Sequence, residues 1–205
     1  FVLLRLADGR LVAIDGREMA PAAATRDMYL RDGQVACQLS TTGPLAVGVP
    51  GALAAYALVL EKYGRRKLDE LLLPAARIAA EGFAIDRRYA ANLAETAGQI
   101  ARFEATRAVL LKAGGSPYRE GEILKQPDLA RSYRQIARHG ADWFYHGPYA
   151  EAVGTWMARH GGIVTAEDFT HYAARQRAPI VTTYRGFTIV GFPPPSSGGV
   201  HVAEI

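Results

Sequence analysis

A chain of 205 residues with 49% apolar and 21% charged residues has the balance of a globular protein able to bury one substantial core, which excludes disordered and fibrous classes. The net charge of +4, with Lys and Arg interleaved among Asp and Glu, points to no nucleic-acid partner. No uncharged apolar run approaches the ~20 residues of a membrane-spanning helix. The single cysteine, Cys37, excludes an internal disulfide and a multi-thiolate zinc site.

Residues 1–6 and 10–15 are two strand-like runs joined through Asp8-Gly9, a pair suited to a tight hairpin turn. Arg17 then falls near a strand terminus, where a rigid support can display it. An Ala- and Leu-rich run over 51–63, closed by Gly64, predicts a buried helix. Pro74 is expected in the first turn of the next helix, which Gly82 stops, and Asp86 caps a longer amphipathic helix to about residue 101. A polar loop surrounds Gly114-Gly115-Ser116-Pro117.

Pro127 opens a helix with Leu129, Tyr133, Ile136 and Ala137 on one face, ending at Gly140. Trp143-Phe144-Tyr145 forms a short helical turn, and Pro148 starts a helix that runs to His160 before Gly161-Gly162. Thr165 followed three residues later by Asp168 resembles a capping box with Asp in the acidic place. Two strands, 179–184 and 187–192, flank the turn Arg185-Gly186. Ser196 and Ser197 are candidate N-caps for a final apolar helix.

These elements make an α+β chain read as one fragment over 1–205: a strand-rich start at 1–48, a helical section at 49–175, and strands with the start of a truncated helix at 176–205. Phe1 to Leu6 begin at full strand character, and the apolar run from Val200 stops without Gly, Pro or a polar tail. The sequence is therefore expected to be internal to a longer protein.

General catalytic motifs are absent: there is no Gly-x-Ser-x-Gly elbow and no Ser-x-x-Lys. His139, His146, His160, His171 and His201 lack the spacing of a helical zinc site. Two of them, His139 and His160, precede glycines at helix ends and suit the carbonyl end of the helix dipole. Ser196-Ser197-Gly198-Gly199 reads better as a capped, tightly packed turn than as an anion site. Cys37 has no basic neighbour in sequence and reads as an inert small side chain.

Arg17 leaves two readings open. Its guanidinium can grip a carboxylate through two parallel charge-assisted hydrogen bonds, or it can serve as a structural ion pair with Glu18. Asp15 is either the partner that holds the guanidinium or a turn residue.

The stretch Ile14-Asp15-Gly16-Arg17-Glu18-Met19-Ala20-Pro21-Ala22, then Thr25-Arg26-Asp27-Met28-Tyr29, resembles the γ-glutamyltransferase (glutathione hydrolase) family. The likeness continues through Gly48-Val49-Pro50-Gly51, Glu61-Lys62-Tyr63-Gly64, Phe144-Tyr145-His146-Gly147 and Gly161-Gly162-Ile163-Val164-Thr165-Ala166-Glu167-Asp168. Tyr184-Arg185-Gly186 and Pro193-Pro194-Pro195-Ser196-Ser197-Gly198-Gly199 complete it.

The resemblance implies a large-subunit portion of an N-terminal-nucleophile hydrolase, an αββα sandwich that cleaves γ-glutamyl amides such as glutathione and transfers the acyl group to water or amino acids. It implies no cofactor, a small-subunit partner cut from the same precursor, and a periplasmic or secreted location. The family's threonine nucleophile lies beyond the Pro-Pro-Pro-Ser-Ser-Gly-Gly segment, and Thr41-Thr42, followed by Gly43, does not substitute for it, so the 205 residues alone are expected to be inactive. Arg17 falls on the family's arginine for the α-carboxylate of the γ-glutamyl group.

Gly16 stands where relatives often carry an aromatic residue, so a more open wall beside Arg17 is expected. Two other readings remain: a related acylase or poly-γ-glutamate enzyme of the same fold, and a non-catalytic helical interaction module.

Overall fold

The computed structural model describes residues 1–205. The chain divides into two compact units, Phe1–Arg65 together with Ala141–Ile205, and Arg66–Gly140. The sections drawn at 48/49 and 175/176 follow element type and cut across these units.

In the first unit, Val2–Arg5 and Leu11–Asp15 pair antiparallel, with Leu4 opposite Val12 and Val2 opposite Ile14. The Asp8-Gly9 turn that joins them places Gly9 at φ +87°, a conformation glycine adopts without steric cost. Leu11–Asp15 is the central strand, because Arg175–Arg177 pairs along its other edge. That third strand straddles the 175/176 boundary between the expected helical and strand sections and begins ahead of the strand run expected at 179–184. Its Arg-Gln-Arg sequence has no apolar alternation, and its extended form comes from the partner strand rather than from local preference. Val12 and Ile14 are buried against Ala55 of the helix Ala52–Tyr63, which Gly64 ends as expected.

This helix begins at Gly51, which has no side chain to cap it. Tyr145 supplies the missing acceptor from 91 residues away in sequence: its hydroxyl accepts from the Ala54 N–H at 3.0 Å and donates to the Pro50 carbonyl at 2.9 Å. One of the first-turn amides that a helix cannot pair internally is thereby satisfied. Burial pushes the Tyr145 phenol up to about 12, so the hydroxyl keeps the proton it donates. Tyr145 lies in a core with Val49, Met157, Val164 and Phe169.

The helices Asp142–Tyr145, Pro148–His160 and Ala166–Thr170 that surround this core follow the signals in the sequence. Gly161 is left-handed at φ 76°, ψ 20°, and ends the middle one. The Thr165 hydroxyl accepts from the Asp168 N–H at 3.2 Å while Asp168 accepts from the Thr165 N–H at 2.8 Å, the reciprocal pair of a capping box.

Ile180–Tyr184 and Phe187–Gly191 form the expected hairpin, its turn carried by positive φ at both Arg185 and Gly186. The final helix, Gly198–Glu204, forms without the expected serine cap, since the Ser197 side chain makes no capping hydrogen bond. Here glycine permits close approach instead: a Cβ on Gly191 would lie 2.6 Å from the Gly199 Cα.

The second unit is built on Leu68–Glu81 packed along Pro127–His139. Pro74, expected in a first turn, lies inside the first of these helices. The helix starts a turn and a half earlier, because Leu68 and Leu72 extend its half-buried face and Asp69 and Glu70 favour the start of a helix. Packing against the partner helix offsets the lost hydrogen bond.

Gly82, at φ +94°, reverses the chain into a two-residue strand, Phe83–Ala84, that pairs with Ile123–Leu124. Asp86 caps Arg87–Ile100 by accepting from the Tyr89 N–H at 2.7 Å. A further helix, Glu104–Leu110, was not anticipated. Ile85, Leu93, Ile100, Leu111 and Leu124 form the core of this unit.

Candidate functional site

Arg17 emerges two residues beyond the central strand of the three-stranded sheet, beside a cavity of about 230 Å³ that Glu18, Tyr172, Arg175, Arg177 and Pro195 help to line. Its side chain is 50% exposed, and its Nε donates to the Glu18 carboxylate at 3.0 Å. The structural ion pair weighed from sequence therefore exists. It is solvent-exposed on both sides, a setting in which such pairs contribute about 0–1 kcal/mol. The terminal nitrogens Nη1 and Nη2 make no hydrogen bond within the chain, so the fork that suits a carboxylate is available.

Of the two roles considered for Asp15, the structure shows the turn residue: its carboxylate accepts from the backbone N–H two residues on. It is 6% exposed, its Oδ1 accepts from the backbone N–H of Arg17 at 3.0 Å, and its Oδ2 accepts from the Arg177 guanidinium at 2.7 Å. It thus orients the Arg17 backbone and leaves the Arg17 guanidinium alone. Burial would raise its carboxyl, but the Arg17 amide and the Arg177 guanidinium outweigh that and hold it below the usual carboxylate range.

The segment after Arg17 is tied down as well. The Tyr172 hydroxyl donates to the Arg17 carbonyl at 2.7 Å. Met19 and Val49 exchange backbone hydrogen bonds at 3.2 and 2.8 Å. Ala22 donates its N–H to Asp168 Oδ1 at 2.7 Å, so the capping-box aspartate ties down the loop after Arg17 with its second oxygen. Asp168 is also held low: desolvation opposes this, and the Ala22 and Thr165 amides with the Thr165 hydroxyl prevail. The Tyr172 phenol is raised by burial first and then by the charges of Asp15 and Glu18, which keeps it a donor near neutrality.

Both aspartates thus ionise more readily in the folded chain than in an unfolded one, where Asp titrates near about 3.9. Their stabilisation is fully present above that value and is lost as pH falls through the lower folded values. Denaturant midpoints are expected to fall on acidification below about pH 4, and Asp15→Asn to flatten that dependence. An unchanged slope in the variant would refute the assignment.

The more open wall expected at Gly16 is not present. A Cβ built there would lie 2.6 Å from the Ala55 Cβ and 2.8 Å from the Gly51 carbonyl, so the position faces the Ala52–Tyr63 helix and not the cavity. Ala55 fills the space a side chain at 16 would need.

Other candidates stand apart from Arg17. His160 stacks on Trp156 with ring centroids 4.0 Å apart and places its Nδ1 2.7 Å from the Trp156 carbonyl, a helix-end arrangement. His146 pairs with Asp142 at 3.2 Å. Cys37 is exposed and unpaired. Sequence reasoning missed Tyr172, Arg175, Arg177 and Pro195. The two arginines share one side of their strand, but nothing in their own sequence marks that strand.

The solved gamma-glutamyltranspeptidase of Helicobacter pylori superposes with a TM-score of 0.95 at 41% identity over 98% of this chain and 58% of that one. That likeness defines the fold as a portion of an N-terminal-nucleophile hydrolase. The gamma-glutamyltranspeptidase family model matches residues 1–205, and the chain belongs to this family. The glutathione hydrolase proenzyme of Escherichia coli (strain K12) is 41% identical over 207 residues, covering 100% of this chain and 36% of that protein. The acylase ACY 1 proenzyme of Pseudomonas sp. (strain SE83) is 39% identical over 210 residues, covering 98% of this chain and 37% of that protein. The chain thus spans about a third of the length of the curated relatives it matches.

Proposed function

We propose that this chain is a large-subunit portion of an enzyme that cleaves γ-glutamyl amides, glutathione among them, and passes the acyl group to water or to an amino acid or peptide. The observation that carries this reading is Arg17: its backbone is pinned by Asp15 and Tyr172, its terminal nitrogens make no hydrogen bond within the chain, and the residue helps to line a cavity. A guanidinium so held binds the α-carboxylate in two parallel charge-assisted hydrogen bonds and sets the distance to the amide carbonyl.

In the intact enzyme a threonine at the start of the small subunit, cut from the same precursor, attacks that carbonyl. The amine leaves with a proton, and water or an acceptor amine then takes the acyl group from the threonine oxygen. Arg17 orients; the partner segment performs the bond changes. The same reading places the mature enzyme in the periplasm or outside the cell.

A chromogenic γ-glutamyl anilide tests the division of labour. The full-length protein is expected to turn it over, and the 205-residue chain to show no turnover above background. Turnover by the short chain that survives purification and disappears with Arg17→Ala would overturn it.

The 39% identity to an acylase proenzyme favours a second reading with a different acyl group. Arg17 cannot separate the two, because a glutaryl amide carries its carboxylate at the same distance from the amide carbonyl as a γ-glutamyl amide does. They differ in the α-ammonium, so competition between glutathione and a glutaryl amide on the full-length enzyme decides.

A further inference from the structure

Arg17 is held by its backbone, and the geometry of that hold assigns a role to a residue 155 positions away. The peptide group is planar, so fixing the N–H of a residue fixes the plane before its Cα and fixing its C=O fixes the plane after it. The Arg17 N–H donates to Asp15 at 3.0 Å, and the Arg17 C=O accepts from the Tyr172 hydroxyl at 2.7 Å. Both planes are thereby set, and with them φ, ψ and the direction of the Cα–Cβ bond. The guanidinium keeps only its side-chain torsions.

Each half of this clamp is itself braced. Asp15 is buried and its other oxygen is taken by Arg177. The Tyr172 ring stacks on Tyr145, with centroids 5.8 Å apart and planes at 15°, and Tyr145 is anchored to the Pro50 carbonyl and the Ala54 amide. Gly51 makes room for the Tyr172 hydroxyl, since a Cβ at 51 would collide with it.

We infer that Tyr172 is a positioning residue for substrate recognition, acting through the Arg17 carbonyl, with Asp15 and Arg177 as the opposing half of the clamp. This rests on the reading of Arg17 as the carboxylate-binding residue. The Tyr172 hydroxyl is committed to the Arg17 carbonyl. Its contribution is to keep the guanidinium pre-aimed, so that binding does not have to order the loop.

The test uses the full-length enzyme and a γ-glutamyl anilide. Tyr172→Phe keeps the stacked ring and removes only the donor. It is expected to raise KM about tenfold with kcat within about twofold, the pattern of lost uniform binding. In an Arg17→Ala background the same change is expected to have no further effect, because there is no guanidinium left to aim.

Equal effects of Tyr172→Phe in both backgrounds, or none where Arg17 is intact, would overturn the inference. If Arg17→Ala itself leaves KM unchanged, the reading of Arg17 fails first, a result distinguishable from the other two. Should Tyr172→Phe not accumulate as folded protein, Arg177→Gln loosens the clamp through Asp15, and the same coupling to Arg17 decides.

Discussion

Replacing Arg17 by Ala in the full-length enzyme is expected to lower kcat/KM for a γ-glutamyl anilide about 10²–10³-fold, equivalent to roughly 3–4 kcal/mol at 1.4 kcal/mol per factor of ten. The size follows from losing two charge-assisted hydrogen bonds to one carboxylate. Stability should barely change, because the only side-chain partner of Arg17 is Glu18 in an exposed ion pair. Arg17→Lys keeps the charge but not the planar fork, and is expected to recover only about a tenth of the loss or less. Steady-state kinetics with parallel thermal melts separate these outcomes, and a large fall in melting temperature for Arg17→Ala would mean the structural reading had been underrated.

Gly51→Ala is expected to give the largest loss of stability of any single methyl added to this chain's site. The backbone there is ordinary, at φ −114° and ψ −7°, so the cost is steric alone. The added Cβ would collide with the Tyr172 hydroxyl and lie 2.5 Å from the Gly16 carbonyl, and a backbone carbonyl cannot rotate away as a side chain can. Overpacking of this kind costs about 1–3 kcal/mol, and about 2–4 °C of melting temperature per kcal/mol at this chain length. Because the displaced group is Tyr172, the folded variant should also show raised KM. An unchanged melting temperature would show that the Gly16–Gly51–Tyr172 contact is looser than described.

The elements that were legible in the sequence are those whose signals are local. The Asp8-Gly9 hairpin, the Asp86 cap, the Pro127 and Pro148 helix starts and the Thr165/Asp168 box all depend on a few neighbouring residues and their backbone preferences. What was not legible is held from a distance. Arg175–Arg177 is a strand only because Leu11–Asp15 lies beside it, and Phe83–Ala84 pairs with Ile123–Leu124 across about forty residues of chain. Pro74 lies inside its helix because the apolar residues before it carry the helix through, which a proline signal alone does not show.

The site divides in the same way. Arg17 itself was visible through its neighbours in sequence and their likeness to a family. Its ties to Tyr172 and, through Asp15, to Arg177 join residues more than 150 positions apart, and no local pattern announces them. For Asp15 the local sequence leaves the guanidinium and a turn equally open, and the fold uses the turn, with the carboxylate on the Arg17 amide. Gly16 by itself suggests an opening, yet its missing side chain is matched by Ala55 on the facing helix.

The central claim is that Arg17 recognises the α-carboxylate of the acyl group. Its most direct test is the ratio of kcat/KM for a γ-glutamyl anilide to that for the 4-aminobutyryl anilide, which lacks only that carboxylate, in the full-length enzyme with and without Arg17→Ala. The intact enzyme should prefer the carboxylate-bearing substrate by about 100-fold or more, and the variant should show a ratio near one. A preference that survives the loss of Arg17 would contradict the claim.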